Sequence, residues 1–132
     1  MGETERNNKW FALARKEIRS AKISFKYGAD NKVICFRCQR AIEKCFKGYL
    51  FYTTGELQEG HDLLSFCKKA MLVEPSFDEL MEDLAFLDKY YLENKEDADV
   101  EFLVVTKEDT LKCFEIVKKV VAKIENLINS TR

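Results

Sequence analysis

Proline, glycine and histidine are scarce in this sequence. Its 132 residues include one proline, Pro75, five glycines and one histidine, His61. Because proline and glycine are the residues that most often interrupt regular structure, their scarcity leaves room for long helices. Lysine, glutamate, leucine and alanine, which favour helices, are plentiful in long periodic runs. The composition therefore favours an all-α fold.

Long apolar runs and an excess of charge of one sign are also missing. No run approaches the roughly eighteen apolar residues that a membrane span needs, and the opening MGETERNNKW contains no apolar core of a signal sequence. The 22 basic and 23 acidic residues nearly cancel, so no global field attracts a membrane or DNA. We expect a cytoplasmic protein with one domain over residues 1–132 and neither of these partners.

Apolar residues recur every three or four positions along most of the chain, which predicts helices. The predicted helices cover about 8–25, 31–53, 60–73 and 76–91. The second should end near Gly55, and Thr106 should cap a last long helix. Pro75 should end the third helix, and Ser76 with Glu79 should cap the fourth. We predict a loop at 93–101 and a short extended segment at 102–105. Because the connections are short, we predict an antiparallel up-and-down helical bundle of four long helices plus one shorter helix.

The segment CFRCQRAIEKCFKGYLF, residues 35–51, holds three of the five cysteines. A zinc site needs about four ligands, but the chain offers one Cys-x-x-Cys pair and one histidine. Cys35 lies inside a predicted helix with no strand before it, which argues against a redox pair. We interpret the cysteines as small residues of a reduced core, and we expect no metal and no cofactor. Gly48 is small enough for a second helix to approach.

The other side of this helix carries a row of cations, Arg37, Arg40, Lys44 and Lys47. Glu43, one turn before Lys47, is the one acidic residue among them. Two interpretations are open. The row is an ordinary solvated face, as most charged helix faces are, or it is an anion site for phosphate groups.

The same segment, followed ten residues later by HDL, resembles a motif of the HEPN domains (higher eukaryotes and prokaryotes nucleotide-binding). That motif is Phe-x-x-Gln-x-Ala-x-Glu-Lys-x-x-Lys, then His-x-Leu, and its matches here are Phe36, Gln39, Ala41, Glu43, Lys44, Lys47, His61, Asp62 and Leu63. The stretch WFALARKEIRSA is similar to the opening helix of the family. The resemblance implies a helical bundle that commonly dimerises. It also implies one of two roles: partner of a separately encoded minimal nucleotidyltransferase, often in a toxin–antitoxin pair, or metal-independent endoribonuclease.

One part of the family pattern is missing. The ribonuclease members carry an arginine, then four to six residues, then a histidine. Ahead of His61, the positions for that arginine hold Thr54, Gly55 and Glu56. We therefore assign no catalytic residue.

Glu17 lies on the apolar side of the first predicted helix, where an unpaired carboxylate would be costly to bury. We expect a cationic partner for it among Arg40, Lys44 and His61. A salt bridge that fixes the helix register is one interpretation, and a lone histidine is often structural too. The other interpretation is a ligand site, formed where these residues converge: Glu17, Arg40, Lys44, Lys47 and His61.

Three hypotheses about function follow. The first is a non-catalytic HEPN-type module that binds a nucleotide such as ATP and acts, as a homodimer, with a minimal nucleotidyltransferase. The second is a divergent ribonuclease toxin in which His61 works with Arg40 or Arg37. The third is a plain dimeric structural adaptor.

Overall fold

The computed structural model of this chain describes residues 9–91 and 104–130. Its helices are α1 (Lys9–Lys26), α2 (Asn31–Thr54), α3 (Leu63–Val73), a 3₁₀ helix (Pro75–Leu80), α4 (Met81–Asp88) and α5 (Lys107–Ser130). These described residues contain no strand, so the all-α prediction is confirmed. The loop predicted at 93–101 lies outside the described residues, as does most of the segment predicted to be extended at 102–105.

Helix α2 is the centre of the bundle because it packs against α1, α3, α4 and α5. Between Ala41 and Leu50 every residue except Lys44 is buried, so this half of α2 has core on all sides. All five cysteines are free and buried, which confirms that they are core residues. Although α2 and α5 are long, no helix in the described part combines the length and apolar character of a membrane span.

Side chains next to the helix ends satisfy backbone groups that a helix leaves unpaired. Asp30 accepts a hydrogen bond from the Lys32 backbone N–H at 2.8 Å at the start of α2. Helix α2 ends at Gly55, which has a φ of 77° that glycine adopts readily. At the start of α5, Thr106 and Asp109 each accept a hydrogen bond from the other's backbone N–H at 3.0 Å. The predicted role of Thr106 is thus confirmed.

The predicted capping box at Ser76 and Glu79 is wrong. Pro75 ends α3 as predicted, but Glu74 caps the 3₁₀ helix by accepting a hydrogen bond from the Ser76 N–H at 3.2 Å. The Ser76 hydroxyl and the Glu79 carboxylate instead accept hydrogen bonds from Lys123 Nζ of α5, at 2.7 and 3.0 Å. Because this contact to α5 replaces the local cap, an α-helix starts later and α4 has only eight residues. The described residues thus form three long α-helices, two short ones and a 3₁₀ helix between the short ones, where the prediction had four long helices and one shorter helix.

Helices α1 and α2 approach closely at Gly48. A Cβ atom at this position would lie 2.6 Å from Cε1 of Phe11, which is far inside van der Waals contact. On α1 the facing residues include Ala14 and Ala21, which are almost fully buried. A side chain larger than that of glycine at position 48 would therefore require the Phe11 ring to move.

We predict that Gly48→Ala lowers the free energy of unfolding by about 1 kcal/mol. Overpacking against Phe11 costs about 1–3 kcal/mol, and the better helix propensity of alanine offsets about 1 kcal/mol of it. Urea unfolding measures the change. In a Phe11→Ala background the same substitution should be neutral or stabilising, because the ring is gone. An equal loss in both backgrounds would contradict this account of the contact.

Candidate functional site

The candidate site is organised around Glu43, a carboxylate of α2 whose side chain is fully buried. Its Oε2 accepts a hydrogen bond from Lys47 Nζ at 2.9 Å and lies 3.4 Å from Lys44 Nζ. Its Oε1 lies 3.0 Å from Nδ1 of His61. An ionised carboxylate can only accept hydrogen bonds, so Nδ1 of His61 carries a proton in this arrangement. One carboxylate thus holds three side chains.

The pKa of Glu43 reflects two opposing effects. Burial raises it, because the charged form loses its hydration. The hydrogen bonds from Lys47 and His61, together with the charge of Lys44, lower it and outweigh the burial, so the pKa lies below its ordinary value. Glu43 is therefore ionised at neutral pH and compensates the cations around it.

Lys44 and Lys47 do not belong to a solvated face, so that interpretation of the cationic row is wrong for them. Their side chains are 14% and 9% exposed. The reason is that α1 covers this part of α2 and places Trp10 beside both ammonium groups, 5.8 and 5.5 Å from the ring centre. The indole N–H of Trp10 is buried and has no hydrogen-bond acceptor among the described residues.

Glu17 of α1 forms a second cluster with two arginines of α2. Its Oε2 accepts a hydrogen bond from Nε of Arg40 at 3.1 Å, and its Oε1 lies 3.6 Å from Nη1 of Arg37. The expectation of a cationic partner for Glu17 is therefore confirmed, with Arg40 as the partner. The arginine side chains are 35% and 39% exposed, far more than the two lysines.

The two clusters carry more positive than negative charge. Four cations, the two arginines and the two lysines, face the carboxylates of Glu17 and Glu43. Two positive charges therefore remain uncompensated within the clusters when His61 is neutral. Since arginine guanidinium groups bind phosphate oxygens in pairs, a partly exposed surplus of this kind suits a phosphate-bearing anion.

His61 is fixed from three directions. Glu43 binds its ring nitrogen, Nε2 of the buried Gln39 donates to its backbone carbonyl at 2.8 Å, and its ring stacks on Tyr91. The two rings are 4.6 Å apart and inclined by 16°. His61 is 38% exposed, so an oriented imidazole faces partly toward solvent.

Asp88, at the end of α4, anchors the start of α3 beside His61. Its carboxylate accepts hydrogen bonds from the backbone N–H groups of Leu63 at 2.9 Å and Leu64 at 3.1 Å. Burial raises the pKa of Asp88, and so does the neighbouring Asp62 carboxyl. Although the two backbone hydrogen bonds act in the opposite direction, the pKa reaches about 6.

The five predicted ligand residues fall into two adjoining clusters. Arg40 pairs with Glu17, while Lys44, Lys47 and His61 gather around Glu43. The predicted ligand site did not include the residues that hold these clusters in place, namely Glu43, Gln39, Asp88, Trp10 and Tyr91, although Gln39 and Glu43 match the motif. A signal for two of them exists in the sequence, since Gln39 and Glu43 precede Lys47 at intervals of four and so share its side of the helix. Among the described residues, no three histidine, cysteine or acidic side chains are arranged to hold a metal ion.

Comparisons with known proteins agree with this architecture. The family model of the HEPN domain matches residues 8–127. No curated protein matches the chain. Among solved structures, the crystal structure of TT1696 from Thermus thermophilus is similar, with a TM-score of 0.71 and 25% sequence identity. The alignment covers 92% of this chain and 97% of that one.

We predict that Glu43→Gln lowers the free energy of unfolding by about 3–5 kcal/mol, because it leaves two buried ammonium groups without a counter-charge. Chemical denaturation measures the loss. Glu17→Gln is the matched control, and its effect should be near 1 kcal/mol because its arginines are more exposed. Adding Lys47→Met to Glu43→Gln should recover part of the stability. A loss no greater than that of Glu17→Gln would contradict the central role of Glu43.

We also predict a pH-dependent difference between the wild type and Asp88→Asn. The folded carboxyl keeps its proton to a higher pH than the unfolded chain does. Its stabilising contribution is therefore complete below the ordinary pKa of 3.8 and is lost as pH rises through about 6. Urea unfolding across this range should show the wild type losing stability relative to Asp88→Asn as pH rises. Glu43 is present in both proteins, so its contribution to the pH dependence cancels in the difference between their free energies of unfolding. A difference that does not vary with pH would be inconsistent with a raised pKa.

Proposed function

The chain belongs to the HEPN domain family, and from this premise we propose that it is a non-catalytic nucleotide-binding and interaction module. HEPN domains are nucleotide-binding or ribonuclease-like modules. The choice between these two roles rests on the residues at the candidate site. Ahead of its one histidine, this sequence lacks the arginine that the ribonuclease members carry.

The observation that supports nucleotide binding is the surplus of positive charge beside α1. Arg37 and Arg40 are each more than a third exposed, and Glu17 holds both on one side of α2. A guanidinium group has several N–H donors and can bind a phosphate while it keeps one contact to a carboxylate. In our proposal the two arginines bind the phosphates of a nucleotide such as ATP. The buried Lys44 and Lys47 add to the local positive potential.

We further propose that the module acts as a cytoplasmic homodimer together with a separately encoded minimal nucleotidyltransferase, as in a toxin–antitoxin pair. The support for this partner is membership of the family. Co-expression with the product of the adjacent gene, followed by co-purification, tests the pairing. Failure of a small nucleotidyltransferase encoded there to co-purify would contradict it.

A second candidate, a divergent endoribonuclease, is favoured by the orientation of His61. Because Glu43 holds Nδ1 in its protonated form, Nε2 is left as the basic nitrogen, which is the state that a general base requires. Arg40 or Arg37 would then replace the missing arginine. This candidate differs from the proposal in one observable. The purified chain would cleave RNA, and His61→Ala would stop the cleavage.

We predict that the wild type binds ATP in a calorimetric titration and that Arg37→Gln with Arg40→Gln weakens binding by roughly tenfold or more, since two charged hydrogen-bond donors are lost. Lys16→Gln with Arg19→Gln is the matched control, because both residues are exposed on α1. Lys44 and Lys47 are unsuitable for this test, since their removal would leave Glu43 buried and uncompensated.

Unchanged affinity in the arginine variant would exclude the proposed phosphate site. Absence of binding by the wild type, with ATP and with other nucleotides, would contradict the ligand half of the proposal.

A further inference from the structure

A groove runs between α1 and α5. One half is lined by residues that include Phe11, Arg15 and Ile128, and the other by residues that include Phe25, Phe114 and Lys118. The two halves are continuous, because Ile18, Val121 and Glu125 line both of them. The volumes of the two halves are about 180 and 580 Å³, enough to receive side chains from another surface.

The floor of this groove is apolar and incompletely covered. Six hydrophobic residues of α1 and α5 contact the core there but remain partly exposed: Phe11, Ile18, Phe25, Phe114, Val121 and Ile128. Among the described elements, α1 packs extensively against α2 alone. A continuous apolar groove beside a helix that packs extensively against a single neighbour is typical of an interaction surface.

The two edges of the groove carry opposite charges. On the α1 edge lie Arg15 and Lys22, and on the α5 edge lie Glu115 and Glu125. All four side chains are exposed, and none forms an ion pair with another described residue. Arg15 lines one half of the groove together with Glu125, and Lys22 lines the other half together with Glu115; Glu125 lies where the two halves meet and lines both.

The charges on the two edges are complementary between two copies of the chain for one orientation of a two-fold axis. A two-fold axis parallel to the groove places each α1 against the partner's α5 and keeps the heights along the groove unchanged. Arg15 then faces Glu125 of the second copy, and Lys22 faces Glu115. An axis across the groove would instead set the basic edges against each other. We propose that a second copy of this chain occupies the groove through the parallel two-fold axis, with the apolar residues of both copies at the centre.

Lys118 is the exception, since it places a cation on the α5 edge. It follows Glu115 by three residues on the same helix, so the two share a side of α5 and Glu115 partly compensates it. This inference rests on the homodimer of the proposed function and adds the location of its interface. It is independent of nucleotide binding, because none of its residues belongs to the clusters of Glu17 and Glu43.

Charge exchange between two variants tests the surface on the full chain. One variant carries Arg15→Glu with Lys22→Glu, and the other Glu115→Lys with Glu125→Lys. Each alone places like charges opposite each other, so its self-association should weaken by roughly tenfold or more. Mixed in equal amounts, the two should form a heterodimer about as tight as the wild-type dimer. Sedimentation velocity measures association, and native mass spectrometry identifies the heterodimer by its mass.

The control is Lys16→Glu with Arg19→Glu, two exposed α1 residues outside the groove lining. It should dimerise as the wild type does.

Circular dichroism confirms that every variant is folded. Variants that each dimerise like the wild type would show that the interface lies elsewhere and would overturn the surface while leaving the homodimer intact. A wild type that stays monomeric at high concentration would overturn both the surface and the homodimer. A mixture that forms no heterodimer after each variant has lost self-association would overturn the surface alone. Nucleotide binding is scored separately by calorimetry.

Discussion

The buried carboxylate of Glu43 is the interaction on which the rest of the candidate site depends. Taking a charge out of water costs several kcal/mol, roughly, unless hydrogen bonds and opposite charges compensate it. Glu43 meets that condition through Lys47, Lys44 and His61. The dependence is mutual, because the two lysines are themselves largely buried beneath Trp10. The buried charge of Glu43 and the buried charges of the two lysines therefore stabilise one another.

This interaction explains why the cations of α2 divide into two kinds. Lys44 and Lys47 lie in the half of the helix that has core on all sides, and both contact Glu43, which compensates one of their two charges. Arg37 and Arg40 lie one to two turns earlier, where α2 is more open, and share Glu17 between them. The lysines therefore help to hold the structure together, whereas the arginines are the residues to which we assign phosphate binding in the proposed function. A row that looks uniform in the sequence thus has two roles.

Much of the fold followed from the sequence because its signals are local. The helix ends at Gly55 and Pro75 and the cap at Thr106 depend on neighbouring residues, and all three were predicted. The cap at Ser76 was not formed because Lys123, 47 residues away, binds its hydroxyl. A local pattern contains no information about such a competitor.

The site was predictable in part for the same reason. Because Glu17 has apolar neighbours on α1, the sequence predicts a cationic partner for it, and Arg40 is that partner. The burial of Lys44 and Lys47 was not visible, because a helical wheel assumes that a helix has one buried side. Helix α2 has neighbours in several directions, so Lys44 and Lys47, for which a solvated face was one of two open interpretations, are largely buried. The contacts of Asp88 with the start of α3 span 24 and 25 residues and likewise depend on tertiary packing.

The central claim is that Glu43 occupies the lysines and leaves the arginines available to an anion. NMR of the arginine Nε–H and lysine ammonium signals during an ATP titration tests it most directly. The claim predicts that the Arg37 and Arg40 signals shift with ATP, whereas the Lys47 signal keeps the position of an ammonium bonded to a carboxylate. A shift of the Lys47 signal with the arginine signals unchanged would contradict it.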